Sequence, residues 1–307
     1  MQHITEVKNL KLQNTAIALG KFDGFHRGHQ LLLAQVLEWQ KRGMTGVIFT
    51  FAPAGRQIGS GKHIDSHAEK VKQSGDTGIQ VLLEYPFSEG FANLQPEEFV
   101  DQILIGQLGV RAVAVGSDFH FGKHRSGDAE LLKRIGQQKG FEVKIFEKLQ
   151  EQEQDISSSV IREAIEAGDM ERVTACLGHG YRISGPVVHG QALGRTIGIP
   201  TANQRVPEDK LVPPYGVYAA RIHWKQKVYY GIANLGCKPT VSEKAEAGLE
   251  TYIFAFDRNI YGDDLEVELL HFLRREQKFE NLDVLVAQMQ TDIREAKKKL
   301  KKQAPEI

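Results

Sequence analysis

Two histidines three residues apart, directly after a short apolar run, are the residues of this chain best spaced to do chemistry. The segment Gly20-Lys21-Phe22-Asp23-Gly24-Phe25-His26-Arg27-Gly28-His29 follows the strand-like Thr15–Leu19 and leads into a helical period. Glycines allow a tight turn and a close approach of phosphate to the backbone. A helix start adds N–H groups and the positive end of the dipole. At i, i+3 both imidazoles project from one face of the first turn. There they can donate to nucleotide phosphates and to the charge that develops as pyrophosphate leaves. Gly20, Phe22, Asp23, Gly24 and Gly28 then belong to the phosphate- and nucleotide-binding turn. The bland alternative is a histidine-rich helix start that meets no ligand.

Two weaker clusters follow. Ile156-Ser157-Ser158-Ser159-Val160-Ile161-Arg162 opens a helix. Its serines read equally as N-caps or, with Arg162, as donors to triphosphate oxygens. Val115-Gly116-Ser117-Asp118-Phe119-His120-Phe121-Gly122, followed by Arg125-Ser126-Gly127-Asp128, leaves an apolar strand for a glycine-rich loop. A flavin ring or adenine can rest there against Phe119 and Phe121.

Elements of two textures must position these groups. Up to about Phe146, strand-like runs (Thr15–Leu19, Gly46–Phe51, Ile79–Leu83, Ala112–Val115, Glu142–Phe146) alternate with helical periods (Gln30–Trp39, Pro96–Leu108, Asp128–Lys139). That alternation predicts an α/β, doubly wound parallel sheet, with ligands outside the carboxyl ends of its strands. Gly55–Gly78 reads as a long loop with a short helix, and Ser157–Glu166 and Met170–Leu177 as two short helices closing a first domain, 1–178. In a second domain, 179–307, the runs Arg182–Val188, Gly216–Ile222, Lys227–Asn234, Glu250–Phe256 and Leu265–Phe272 predict a small antiparallel barrel or sandwich. A terminal helix, Leu282–Leu300, carries Leu285, Val286, Met289, Ile293 and Ala296 at helical spacing.

Composition narrows the function classes. The 307 residues, 41% hydrophobic and 25% charged, suffice for two domains with ordinary cores. Lys+Arg and Asp+Glu are both 39, so no global field recruits nucleic acid or an anionic membrane. Cys176 and Cys237 form no CxxC pair, and indicate neither a zinc site nor a disulfide framework. Without a leader pattern or an apolar run approaching the ~18 residues of a membrane span, the expectation is a cytoplasmic protein with no membrane partner. A homo-oligomer is left open.

The order HxGH, VGxDFxFGxxRSGD and ISSxxIR resembles the nucleotidyltransferase module of the prokaryotic bifunctional riboflavin kinase/FAD synthetases. The second half resembles that family's riboflavin kinase module. The residues that carry this are Ser184–Gly190, Gly194-Arg195-Thr196-Ile197-Gly198-Ile199-Pro200-Thr201-Ala202-Asn203, Tyr215–Ala219, Gly236–Thr240 and Tyr261-Gly262. The resemblance spans nearly the whole chain. It implies a Rossmann-like nucleotidyltransferase domain, an FMN adenylyltransferase, followed by a riboflavin kinase-like antiparallel β-barrel with a terminal helix. The implied substrates are riboflavin, FMN and ATP, with Mg2+ accompanying ATP.

For the kinase half, Gly185, Gly190, Gly194 and Gly198 suit a backbone loop over ATP phosphates. The resemblance makes Thr201 and Asn203 the Mg2+ ligands, in keeping with their hard oxygens. It makes Glu250, at the start of its strand, the base that takes the ribityl 5′-hydroxyl proton, and it puts Arg274 on the flavin side. In the transferase half it assigns His26 and His29 to catalysis and Asp118, Phe119 and Phe121 to the flavin. Departures from the family pattern fall there. Thr50-Phe51-Ala52-Pro53-Ala54-Gly55 has Ala52 and Ala54 where an acid and a histidine are usual, Gly78-Ile79-Gln80 lacks an Asp, and Ser159 replaces Thr. Lost contacts of ~1–3 kcal/mol each would slow adenylylation. The expectation is a bifunctional enzyme, with a kinase carrying a degenerate scaffold or flavin-nucleotide-binding domain as the alternative. A flavin sensor that turns nothing over is the non-enzymatic alternative.

Overall fold

The computed structural model of the chain describes residues 1–52, 62–190, 194, 198–238 and 246–301. These fall into two compact units. One holds 1–61 and 67–158. The other holds 159–307 together with the short strip Lys62–Ser66. Both helices expected to close the first domain, from Ser159 on, group with the second unit.

The first unit is a six-stranded sheet in the order β1-β4-β3-β2-β5-β8, made of β1 (Gln2–Ile4), β2 (Thr15–Leu19), β3 (Thr45–Phe51), β4 (Val81–Tyr85), β5 (Val110–Gly116) and β8 (Glu142–Phe146). Every pairing in it is parallel. Two hairpin pairs, β6 (His120–Phe121) with β7 (Gly127–Asp128) and β9 (Gln150–Glu151) with β10 (Gln154–Asp155), lie outside it. The helices are α1 (Arg27–Lys41), α2 (His67–Asp76), α3 (Glu89–Ala92), α4 (Pro96–Glu98, running on into a wider turn over Phe99–Ile105) and α5 (Ala129–Lys139). Period-two alternation sends Ile17, Leu19, Val47, Phe49, Val113 and Val115 into one core with Phe99, Ile103 and Leu132. Ala16, Ala18, Ile48, Leu82, Ala112 and Ala114 enter the other, under Leu32, Leu33, Val36 and Trp39 of α1. Burying those four side chains contributes on the order of 2 kcal/mol each. With β2 central between β3 and β5, the strand order reverses at its carboxyl end, which is where such sheets bind ligands.

Besides the strip Lys62–Ser66, the second unit holds α6 (Ser158–Ala167) from Ser159 on and α7 (Met170–Leu177). Its sheet runs β11-β16-β13-β14-β15-β12: β11 (Tyr181–Pro186), β12 (Ala202–Arg205), β13 (Gly216–Trp224), β14 (Lys227–Lys238), β15 (Glu246–Ile253) and β16 (Asp264–Arg275). All its pairings are antiparallel. The end strands approach each other, since Val188, just past β11, bridges Asn203 of β12. The sheet is therefore a nearly closed barrel. α8 (Leu282–Leu300) packs Ile293, Ala296 and Leu300 against Val217, Ile232 and Leu270. The expected parallel sheet, antiparallel barrel and terminal helix are all present. β15 starts at Glu246, so Glu250, expected at the start of its strand, sits mid-strand, and Thr201 immediately precedes β12.

One ion cluster bears on the stability of the barrel. Glu268 of β16 is 1% exposed and meets Arg221 of β13, Arg182 of β11 (3.1 Å) and His223 (3.4 Å). Burial alone raises a carboxyl pKa. Hydrogen bonds from His223 and Arg221 and the charges of Arg221 and Arg182 outweigh it, holding Glu268 at about 2. A depressed folded pKa means stability that is present above the ordinary Glu value near 4.5 and lost as pH falls toward 2. Glu268→Gln should cost roughly 3–5 kcal/mol in denaturant unfolding, because it takes the counter-charge from Arg221 and leaves Arg182 only its longer contact with Glu266 (3.4 Å). The same variant should flatten the loss of stability between pH 4.5 and 2. An unchanged midpoint would show that the cluster is not stabilising.

Candidate active sites

The turn after β2 is built on strain held by burial. Phe22 and Phe25 have φ of 47° and 43°, and Gly24 has 89°. A left-handed residue with a side chain costs of order 1–2 kcal/mol. Here the two phenyl rings, 0% and 4% exposed and 5.7 Å apart, fix the turn from beneath. Gly20 lies against the Phe22 ring, where a Cβ would come within 3.1 Å, and Gly28 lies equally close to the His26 ring. Phe22 is thus a support of the turn.

The turn delivers His26 to the N-cap of α1. Its Nδ1 accepts from the His29 N–H at 3.3 Å, which leaves Nε2 to carry the ring proton. The two imidazoles stack, centroids 3.6 Å apart, and Phe22 flanks His29 at 4.9 Å. Among the described residues, the buried His29 Nδ1 meets no partner. Burial pushes the His26 pKa down to about 4 against the raising influence of Asp118 and Asp23. Burial also holds His29 well below the usual histidine range, assisted by the charges of His26 and Lys70. The pair is therefore neutral at pH 7.

Lys70 of α2 went unnoticed in the sequence. Its Nζ donates to Lys21 O (2.9 Å) and to Thr50 Oγ1 (2.8 Å), while Thr50 Oγ1 itself donates to Lys21 O (2.9 Å). It brings a positive charge to the back of the histidine turn. Ser158 Oγ, in the same unit, donates to Asp23 O of the turn at 3.0 Å. Asp118 pairs with Lys148 at 3.3 Å. Phe119 stacks on Phe121 at 5.7 Å, and Phe121 is itself buried against Phe99 (5.5 Å), so Phe119 is the more accessible ring. Ser157 lies in the first unit, and Ser159 and Arg162 in the second, where Arg162 donates to Lys62 O. Pro53, Ala54 and Gly55 lie outside the described residues; Ala52 is the last before them.

In the barrel, β15 brings the expected residues together. Glu250 pairs in register with Asn203 of β12 on one side and Asn234 of β14 on the other. Asn203 is 5% exposed, and its Nδ2 leans toward Thr201 O at 3.4 Å. Gly190 passes so close that a Cβ there would lie 2.6 Å from Asn203 Oδ1. That cradle of hydroxyl, amide and carboxylate oxygens fits a hard divalent cation. His189 stacks on Tyr261 at 3.9 Å, and Gly262 N donates to Val187 O, so two distant motifs meet at one rim. Gly185 O accepts from Gln204 Nε2, Gly194 O accepts from Ile199 N, and Gly198 takes a φ of 74°. Arg195, Thr196, Ile197, Pro239 and Thr240 lie outside the described residues.

A cavity of about 190 Å³ adjoins this cradle. Thr201, Asn234, Glu250, Arg274, Glu276 and Asp292 contribute its polar lining. Arg274 is held by Asp292 of α8 through two-pronged bonds of 2.7–3.1 Å, and Gln288 Nε2 donates to the same carboxylate. Asp292 is 1% exposed. It lies on the apolar face of α8 with Met289 and Ala296, an acid in an apolar stripe, and that was its signal in the sequence.

Fold and sites are those of a transferase with two separate nucleotide-handling units. A family model described as FAD synthetase matches residues 8–160, and one described as riboflavin kinase matches 177–300. A curated bifunctional riboflavin kinase/FMN adenylyltransferase from Bacillus subtilis is 37% identical over 96% of both chains. Its namesake from Escherichia coli K12 is 35% identical over 91% of both. A crystal structure described as a macrolide-efflux protein from Streptococcus pneumoniae is 30% identical, with a TM-score of 0.82 over 95% of this chain and 97% of that one. The chain belongs to the bifunctional riboflavin kinase/FMN adenylyltransferase family.

The protonation state of His26 can be read directly. In an NMR pH titration of the free protein its ring should titrate with a midpoint near 4. The unfolded chain takes up that proton near the ordinary 6.5, so acidification between 6.5 and 4 should also favour unfolding. A midpoint near 6.5 would mean that the ring is not buried as described.

Proposed function

We infer that the chain carries out two successive ATP-dependent transfers, riboflavin to FMN and FMN to FAD. The observation that carries this is the coexistence in one chain of both family regions with their reactive side chains present: His26 and His29 in one, Thr201, Asn203 and Glu250 in the other. The kinase reaction is assigned to residues 179–307 and the adenylyl transfer to 1–178. Both are placed in the cytoplasm, where ATP is abundant, in keeping with the lack of any described helix long and apolar enough to cross a membrane.

In the barrel, the riboflavin 5′-hydroxyl attacks the γ-phosphorus of ATP. Its oxygen gains the P–O bond, ADP takes the electrons of the broken bond, and Glu250 accepts the hydroxyl proton. Thr201 and Asn203 would hold Mg2+, which when bound draws charge from the phosphate oxygens. Gly185, Gly190, Gly194 and Gly198 follow the phosphates with backbone. Arg274, pinned by Asp292, faces the flavin.

In the sheet unit, a phosphate oxygen of FMN attacks the α-phosphorus of ATP and pyrophosphate leaves. His26 and His29, neutral in the free protein, donate hydrogen bonds to the reacting phosphates from a fixed, preorganised pair. Lys70 supplies positive charge behind them. Ser157 and Ser158 are assigned to phosphate oxygens, with Asp118 and Phe119 toward the flavin and Phe121 backing Phe119; Ser159 and Arg162, expected in the same role, belong to the other unit.

Chromatography of two reactions separates the activities. Wild-type protein with Mg-ATP should make FMN from riboflavin, and FAD from FMN. Asn203→Ala should lower FMN formation about 10²–10³-fold and leave FAD formation from FMN, whereas His29→Ala should do the reverse on a similar scale. FMN with no FAD from either wild-type reaction would overturn the bifunctional reading. Equal loss of both activities in either variant would overturn the division between the units.

A further inference from the structure

A third cluster lies on the sheet unit and belongs to neither site. Glu84 of β4 is 1% exposed, and its carboxylate meets His3 Nε2 at 2.9 Å and His67 Nε2 at 2.9 and 3.1 Å. The three ligand-type atoms all lie within 4.8 Å of one another. Three separate elements supply them. β1 pairs with β4 in parallel, His3 opposite Leu82, so His3 and Glu84 emerge on the same face two residues apart. His67 is the first residue of α2. The His3 and His67 side chains keep 29% and 42% of their surface, so the cluster is buried at the carboxylate and open at the imidazoles.

We propose that His3, His67 and Glu84 bind a divalent transition-metal ion of the Zn2+ class, which clips the N-terminal strand to β4 and α2. Two imidazoles and one carboxylate form an N2O set, suited to Zn2+, Co2+ or Ni2+ rather than to Mg2+. Three protein ligands leave the fourth position for water from the open side. A tetrahedral ion with bonds of about 2.0–2.1 Å spaces its ligands by about 3.4 Å. The present N–O separations of 2.9 Å would have to open by only about half an ångström to admit it. Lys70, one turn along α2 from His67, is turned to Thr50 and Lys21 O and so does not occupy the site.

The proton balance is simple. In the metal-free cluster, an imidazole donating to Glu84 carries its proton on Nε2. Metal binding needs that lone pair, so a neutral ring moves its proton to Nδ1 and a protonated ring releases one. Affinity therefore weakens as the rings protonate in acid. With metal bound, the buried carboxylate faces a full positive charge.

Full-length protein stripped by a chelator and titrated with Co2+ tests this. One ion per chain should bind, with the visible bands of a low-coordinate Co2+ centre that Zn2+ abolishes. Zn2+ should also raise the unfolding temperature. His3→Ala and His67→Ala, both at partly exposed positions, should each weaken binding by about tenfold or more and remove the Zn2+ effect on unfolding. Binding that survives in the His3→Ala/His67→Ala double variant would overturn the proposal. So would the lack of any Co2+ band in wild type at millimolar metal, which would make the cluster a metal-free hydrogen-bonded ion pair. Glu84→Gln adds a third arm, and the two histidine variants decide the matter if it fails to fold.

Discussion

Alanine on one face of the central strands is the constraint on which the transferase unit depends. Ala16, Ala18, Ala112 and Ala114 are all fully buried beneath α1. Their small side chains let that helix lie close to the sheet, so that its first turn stands at the carboxyl end of β2. The left-handed turn of Phe22 to Phe25 spans the short distance between strand and helix, and hydrophobic burial of its two rings offsets its strain. His26 then serves structure and chemistry at once, since its Nδ1 caps the helix while Nε2 stays available. A larger residue at Ala18 or Ala114 would lift α1 and with it both imidazoles.

The barrel solves a different positioning problem by strand register. Antiparallel pairing on both sides of β15 sets Glu250 between Asn203 and Asn234, so a carboxylate and two amides come together without a loop having to hold them. Gly190 gives the loop after β11 enough room to reach Asn203. From the other side α8 presents Asp292, which turns Arg274 from a mobile surface cation into a fixed wall of the cavity. Loss of that buried carboxylate would leave the guanidinium without its anchor while leaving the barrel strands unchanged.

Much of this was legible from periodicity. Thr15–Leu19, Glu142–Phe146 and Leu282–Leu300 have the same limits in structure as in pattern. Ile79–Leu83 was displaced by two. The strand is Val81–Tyr85, since Ile79 N–H is taken by Thr77 Oγ1 and the Gln80 side chain accepts from Gly46 N. β1 was invisible, as three residues show no period and the strand exists only through its pairing with β4. The candidate site residues were legible as candidates because their motifs are local in sequence. Lys70 and the His3–His67–Glu84 cluster were not, because tertiary packing alone brings each to its partners.

The strip Lys62–Ser66 carries a consequence for how the chain can be divided. It is flanked on both sides by residues of the first unit and yet packs as part of the second. His63 bridges Lys210, Ile64 O accepts from the fully buried Lys210 Nζ and from Tyr181 Oη, and the Lys210 ammonium lies 4.5 Å from the Tyr181 ring. The second unit is thus discontinuous along the sequence, and no single cut yields two complete halves. A fragment beginning at residue 179 would keep every barrel strand but lose the Ile64 carbonyl that accepts from the buried Lys210 ammonium. Gene fusion and fission, which shuffle contiguous stretches of coding sequence, would find this pair of units hard to separate.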